Sequence, residues 1–170
     1  MSEDIARQVA RQIEDAFADT PYPGDANIGW DGIDETLRGK HWRDIPLDII
    51  IRDRSEISFL TSAGFRYYLP AFMLAVLRHY QEVDQLSEYV VVSLSPEPQG
   101  ELPHPNERDL SRWLTERTAR FSPAQSSAVL AFLKSYRVLH AADFAESVYS
   151  SLLDSALQFW EAKVKDNTTK

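Results

Sequence analysis

The chain contains no cysteine among its 170 residues, and this absence excludes several classes of function. Disulfides, thiolate nucleophiles, iron–sulfur clusters and cysteine-based zinc sites all require that side chain. The sequence also lacks an apolar run of the roughly 20 residues that a membrane-spanning helix needs. We therefore expect no disulfide framework and no membrane span, and a reducing compartment such as the cytoplasm fits this composition.

Positive charge is also scarce, since 18 Lys and Arg residues stand against 26 Asp and Glu residues, for a net charge of -8. Nucleic acids and anionic membrane surfaces both bind to cationic protein faces. We therefore expect neither as a partner. The start Ser2-Glu3-Asp4 is acidic and lacks the basic and apolar regions of a secretory signal, which again favours a cytoplasmic protein.

Sequence motifs for catalysis and cofactor binding are missing as well. There is no phosphate-binding loop, no dinucleotide-binding glycine pattern and no nucleophile elbow. The four histidines, at positions 41, 79, 104 and 140, do not form a helical metal-binding pair. Residues 25–35 fail as a calcium loop, because Trp30 replaces the required glycine and Thr36 replaces the bidentate glutamate. We therefore expect no cofactor and no metal ion.

The most informative segment that is present is the apolar block at residues 65–77. Its large side chains recur at helical spacing, as in Phe65, Leu69 and Phe72, and Pro70 lies at its centre. This pattern predicts the central helix of a core, kinked or restarted at the proline. The fold prediction is therefore all-α, with one compact domain of six to eight helices over residues 1–165 and a frayed tail at 166–170.

Further helices are predicted from apolar spacing and from capping residues. They cover residues 2–18, 31–38 up to Gly39, 46–52 after Pro46, 82–94, 106–121, 122–136 and 141–164. Residues 48–52 and 89–92 are rich in β-branched side chains, so strands there, paired in a minor hairpin, stay an open alternative. The Pro-rich residues 95–105 predict a loop between the two halves.

Two details of the second half are specific. Ser122-Pro123-Ala124-Gln125 has the form of a capping box, with a capping serine, a proline at the first helical position and a glutamine that can close the box. Trp113 falls on the same predicted helical stripe as Leu114, so we expect its ring to be in the core.

Several of these segments resemble an uncharacterised family of small, mainly bacterial proteins. The resemblance rests on Phe65-Arg66-Tyr67-Tyr68-Leu69-Pro70-Ala71 with Phe121-Ser122-Pro123-Ala124-Gln125 and Phe132-Leu133 downstream. Tyr22-Pro23-Gly24-Asp25 and Gly39-Lys40-His41-Trp42 match the family's turn and Gly-Lys-x-Trp segments. The resemblance covers most of residues 17–135 and leaves the final helix outside. It implies a unit of fold and no mechanism.

The polar and aromatic residues of these segments are the candidate site. They are Tyr22, Asp25, Lys40, His41, Trp42, Arg66 and Tyr67. Arg66 is flanked by aromatic residues, and Pro70 cannot donate a hydrogen bond to its carbonyl. We therefore predict that Arg66 is partly buried and pairs with a carboxylate of residues 22–35, such as Asp25. The functional alternative is a pocket there for a carboxylate or for a partner's backbone.

Two functional hypotheses follow from this candidate site. The first is a non-catalytic binding or adaptor protein of the bacterial cytoplasm, with a protein partner or a second copy of the chain as its target. The alternative is a small hydrolase or transferase with a site built from Asp25, His41, Arg66 and Tyr67. The first is favoured because no residue carries a signature of activation.

Overall fold

The computed structural model describes residues 2–29, 35–83, 85–96, 107–140 and 149–168. Over these residues the chain forms seven α-helices and three short 3₁₀ segments, and no strand beyond one isolated bridge between Gly29 and Leu60. The α-helices are α1 (Ser2–Phe17), α2 (Leu47–Arg52), α3 (Ser62–His79), α4 (Leu86–Ser93), α5 (Glu107–Arg117), α6 (Pro123–Leu139) and α7 (Tyr149–Thr168). The 3₁₀ segments are Asp25–Asn27, Trp42–Asp44 and Arg54–Phe59. The all-α prediction is confirmed.

The central helix α3 runs without interruption through Pro70, so it is not restarted there. Thr61 begins it by accepting a hydrogen bond from the Gly64 N–H at 3.0 Å, as an N-cap side chain should. Nearly every residue from Gly64 to Val76 is buried. A helix that is apolar on all sides must be surrounded by other elements, and α1, α2, α4 and α5 all pack on it.

Both ambiguous segments are helical, so the minor β-hairpin was a wrong alternative. Pro46 lies at the N-cap of α2, and this short helix buries Ile50. The valines of residues 89–92 lie in α4, where Val90 and Val91 are buried. Helix α4 packs against the 3₁₀ segment Arg54–Phe59 and against α3 and α7. Tertiary burial of the apolar face outweighs the modest strand preference of β-branched side chains here.

The second half forms around α6, which packs against both α1 and α7. Its start is the predicted capping box: Gln125 N–H donates to the Ser122 hydroxyl at 3.1 Å, and Ser122 N–H donates to Gln125 Oε1 at 3.0 Å. The stripe of Val129, Phe132, Leu133 and Tyr136 is buried as expected. Helix α7 stays helical to Thr168, past the expected boundary at residue 165.

The prediction that Trp113 is a core residue was wrong, since 42% of it is exposed. The neighbouring Leu114 is fully buried and takes the core position of α5. The Trp113 ring instead covers the guanidinium of Arg117, whose Cζ lies 4.6 Å from the ring centroid. The predictions for the loop at residues 97–105, for a cap at Asn106 and for helix at residues 141–148 lie outside the described residues.

Candidate functional site

The loop that begins at Tyr22 is fastened to a second loop by one phenol. The Tyr22 hydroxyl donates to Asp25 Oδ1 at 2.6 Å and accepts from the Gly39 N–H at 2.8 Å. Gly24 and Gly39 have φ values of 85° and 71°, a region that favours glycine. The two glycines therefore allow both loops to turn back so that a single side chain holds them together.

Two consecutive tyrosines of α3 hold these loops on the core. The Tyr68 hydroxyl donates to the Leu37 carbonyl at 2.6 Å, with the Lys40 carbonyl at 3.2 Å. The Tyr67 ring packs edge-on against Tyr22, with centroids 5.3 Å apart. Both α3 side chains are buried, so this contact is part of the folded core.

His41 and Trp42 continue the same cluster along the chain. The His41 ring lies against Tyr67, and its Nδ1 accepts a hydrogen bond from the Arg43 N–H at 3.1 Å. An accepting Nδ1 carries no proton, so His41 serves here as the N-cap of the Trp42–Asp44 turn. Trp42 is 1% exposed, and its Nε1–H has no acceptor among the described residues.

The electrostatics of this cluster keep its phenols protonated. Burial raises the pKa of Tyr67 and Tyr68, most strongly for Tyr68. Partial burial raises the pKa of Tyr22, and the Asp25 carboxylate that it contacts raises that pKa further. A phenol with a raised pKa is a hydrogen-bond donor at neutral pH, so none of the three is poised as a base or a nucleophile.

The structure thus brings together all of the sequence-predicted site residues except Arg66. Lys40 joins through its carbonyl beside Tyr68, while its Nζ donates to the Thr36 carbonyl. Each of the gathered residues already has an internal contact, and the contacts of Tyr67, Tyr68 and His41 tie the loops to α3. In this arrangement their contacts hold the two loops on α3, and the same contacts fix the position of Trp42.

The Arg66 side chain is half-buried as expected, but it has no carboxylate partner among the described residues of 22–35, and Asp31 and Asp34 lie outside them. Arg66 Nε donates to Gln125 Oε1 at 2.9 Å. The capping box already holds that carboxamide in place, and its Nε2 donates to the Thr20 hydroxyl at 2.8 Å. Burial and the nearby charge of Arg120 lower the pKa of Arg66. The early carboxylate that was proposed, Asp25, is bonded to Tyr22 instead.

Sequence reasoning missed a cleft of about 410 Å³ on the other side of Trp42. We call it the Trp42 cleft. Its apolar lining comes from α2, α3 and the turn before α2, and it consists of Trp42, Ile45, Leu47, Ile50, Ala71, Leu74 and Ala75. Its polar rim consists of Glu14, Arg43, Arg78 and His79. One signal was available: Ala71 and Ala75 are one turn apart on a helix of large side chains, which leaves a hollow on that face.

The charged side chains at the rim of the Trp42 cleft differ in whether they have an ion-pair partner. Arg78 Nη2 bonds Glu14 Oε1 at 2.7 Å, and His79 Nδ1 lies 3.0 Å from Glu82 Oε1. Arg43 Nη2 donates to the Glu14 carbonyl at 3.1 Å, and its Cζ lies 4.4 Å from the centroid of the Trp42 ring. Arg43 has no carboxylate partner among the described residues, so its charge is available at the mouth of the cleft.

Two kinds of site were also sought across the described part of the chain. No group of three or more His, Asp or Glu side chains there could hold a metal ion. Within the same residues, no helix combines the length and the apolar character that crossing a membrane requires.

Comparison with known proteins identifies a family and no individual relative. A model described as a family of unknown function (DUF6714) matches residues 26–164. The match includes most of α7, so the expectation that the final helix lies outside the family was wrong, and it begins after Tyr22 and Asp25. No curated protein and no solved structure matches the chain.

Proposed function

We propose that this chain, which belongs to the family of unknown function DUF6714, is a non-catalytic binding protein whose ligand occupies the Trp42 cleft. The observation that carries the proposal is a concave apolar surface with a buried indole N–H that has no acceptor in the described part of the chain. Ligand sites are typically clefts of roughly 300–1,000 Å³ with an apolar lining and a few convergent polar groups. The Trp42 cleft, at about 410 Å³, has each of these features.

The internal contacts of the sequence-predicted residues support binding over catalysis. An enzyme needs a nucleophile or a base that is free to react. Here His41 Nδ1 is occupied by the Arg43 N–H, and Asp25 is occupied by Tyr22. The proximity of Asp25, His41 and Tyr67 is in favour of the hydrolase or transferase alternative. Arg66, its fourth residue, lies apart from them and is bonded to Gln125.

The rest of the proposal concerns where and with what the protein works. A chain with a net charge of -8 is poorly suited to nucleic acid or an anionic membrane, so neither is a proposed partner. The proposed compartment is the bacterial cytoplasm, which suits a chain without cysteine.

A second candidate is self-association, as an adaptor would use it. Phe59 and Trp113 are 53% and 42% exposed, and aromatic side chains are enriched at protein interfaces. Sedimentation velocity over a wide concentration range tests this candidate. Association that Trp113→Ser weakens would support it, and a monomer at every concentration would remove it.

A fragment screen tests the binding proposal. The full chain is screened by thermal shift, and hits are repeated with Ala75→Leu, which fills the apolar lining of the cleft. Ala63→Leu is the matched control, because it makes the same change on α3 at a position that does not line the cleft. We expect hits that Ala75→Leu abolishes and Ala63→Leu preserves. Hits that bind both variants equally would overturn the proposal.

A further inference from the structure

The unsatisfied polar groups of the Trp42 cleft are all hydrogen-bond donors. Trp42 Nε1–H is buried and finds no acceptor among the residues that the structure describes, which leaves it with a desolvation cost that an oxygen atom would relieve. Arg43 uses Nη2 on a carbonyl, and a guanidinium has further N–H groups in a rigid fork. The Arg43 Cζ lies 4.4 Å from the centroid of the Trp42 ring, so the guanidinium and the indole belong to the same part of the cleft.

The acidic side chains around the cleft do not compete for these donors. Glu14 is paired with Arg78, and Glu82 is paired with His79. The cleft itself is lined by two arginines, Arg43 and Arg78, and by one carboxylate, Glu14, so its lining carries more positive than negative charge in a chain that is acidic as a whole. A ligand with a negatively charged oxygen would accept hydrogen bonds from Arg43 and from Trp42. Such charge-assisted bonds to a guanidinium are stronger than bonds between neutral groups.

The remaining surface of the cleft requires an apolar body on that ligand. Ile45, Ile50 and Leu74 supply branched aliphatic side chains, while Ala71 and Ala75 leave the space between them. A compact polar anion such as phosphate would leave this surface wet and would gain nothing from it. An aliphatic chain would displace that water.

We infer that the Trp42 cleft binds a small carboxylic acid with an apolar body, its carboxylate held by Arg43 and Trp42 Nε1–H and its chain seated along α3. This inference rests on the proposed binding function and names the chemical class of the ligand. In this inference, Arg43 and Trp42 select ligands by the charge of their head group. The side chains of α2 and α3 select ligands by the length of their apolar chain.

Isothermal titration calorimetry with straight-chain carboxylates tests both assignments on the full chain. Binding should tighten about three- to fourfold for each methylene from butanoate to octanoate, since each buried methylene contributes a roughly constant increment. Octanamide, which keeps the chain but loses the charge, should bind at least about tenfold more weakly than octanoate. Equal affinity for octanoate and octanamide would overturn the inference.

Variants separate this inference from the proposed function. Arg43→Gln should weaken octanoate about tenfold or more and leave octanamide unchanged, while Arg112→Gln, at an exposed arginine of α5, should change neither. Arg43→Lys, which keeps the charge without the fork, should fall between the two. Octanoate binding that Arg43→Gln does not weaken would contradict the carboxylate assignment. Cleft-dependent fragment hits with no affinity for any carboxylate would also refute it, yet would leave the binding function standing.

Discussion

Replacing Gly64 by alanine should destabilise the protein, although alanine is the better helix former. Gly64 is a buried residue in the first turn of α3, where the intrinsic preference of the helix would favour alanine by about 1 kcal/mol. A Cβ at this position would overlap the carbonyl oxygen of Ile28 and lie 2.9 Å from its carbonyl carbon. The obstacle is backbone, so it cannot swing aside as a flexible side chain would.

The size of the effect follows from what must move. Displacing Ile28 strains the packing by about 1–3 kcal/mol. It also breaks two contacts of Thr61, the 2.9 Å bond from its N–H to the Ile28 carbonyl and the bond from its hydroxyl to Asn27, at about 1 kcal/mol each. After the gain in helix propensity is subtracted, we expect a net loss of about 2–4 kcal/mol.

Urea denaturation followed by circular dichroism measures this loss, which corresponds to a fall in Tm of roughly 5–15 °C for a chain of this size. Ala63→Gly is the control, since it should cost only the helix preference of about 1 kcal/mol at the neighbouring position. A Gly64→Ala protein as stable as the parent would refute the close approach of the 27–29 segment to α3.

Three further predictions concern the same loops and α5. Tyr68→Phe removes the hydroxyl that donates to the Leu37 carbonyl, which keeps its bond from the Lys40 N–H at 3.1 Å, and should cost about 1 kcal/mol in urea denaturation; no loss would mean that the loops are not held through this phenol. Burial raises the pKa of Tyr68, so the folded state binds more protons than the unfolded state above about pH 10, and stability should fall there by up to about 1.4 kcal/mol per pH unit. Alkaline denaturation should be shallower in Tyr68→Phe, and identical slopes would contradict the assignment. Trp113→Ala should cost only about 1–2 kcal/mol, mostly from its contact with Arg117, and a loss above 3 kcal/mol would mean that the ring is a core residue.

Local chemistry explains what could be predicted from the sequence. The capping box at Ser122 and Gln125 is set within a few residues, so the sequence is sufficient to predict it. Gly39 has the left-handed conformation of a residue that ends a helix, but the described residues 35–38 before it form a turn and not the predicted helix. The helix at residues 65–77 is equally clear, because a segment with so many apolar side chains must be buried in a core. The candidate residues Tyr22 and Tyr67 are in ring contact, while their role as a binding site stays a prediction.

Long-range packing explains what was missed. Arg66 binds Gln125, which is 59 positions away, and no local pattern indicates that the glutamine of a capping box faces an arginine on α3. Trp113 is exposed because Leu114 fills the core position beside it, a choice that depends on the approach of α5 to α3. The Trp42 cleft is a gap between α2 and α3, and a gap is a property of their packing.

The indole resonance of Trp42 gives the most direct test that the cleft binds a carboxylate. A ¹⁵N-labelled chain titrated with octanoate reports each tryptophan Nε1–H separately, and Trp42→Phe assigns the signal. The Trp42 signal should shift downfield in a saturable way, while Trp160, whose Nε1–H already donates to the Leu94 carbonyl at 3.0 Å, should stay in place. An unmoved Trp42 signal with octanoate in large excess, or a shift confined to Trp113, would contradict carboxylate binding in the Trp42 cleft.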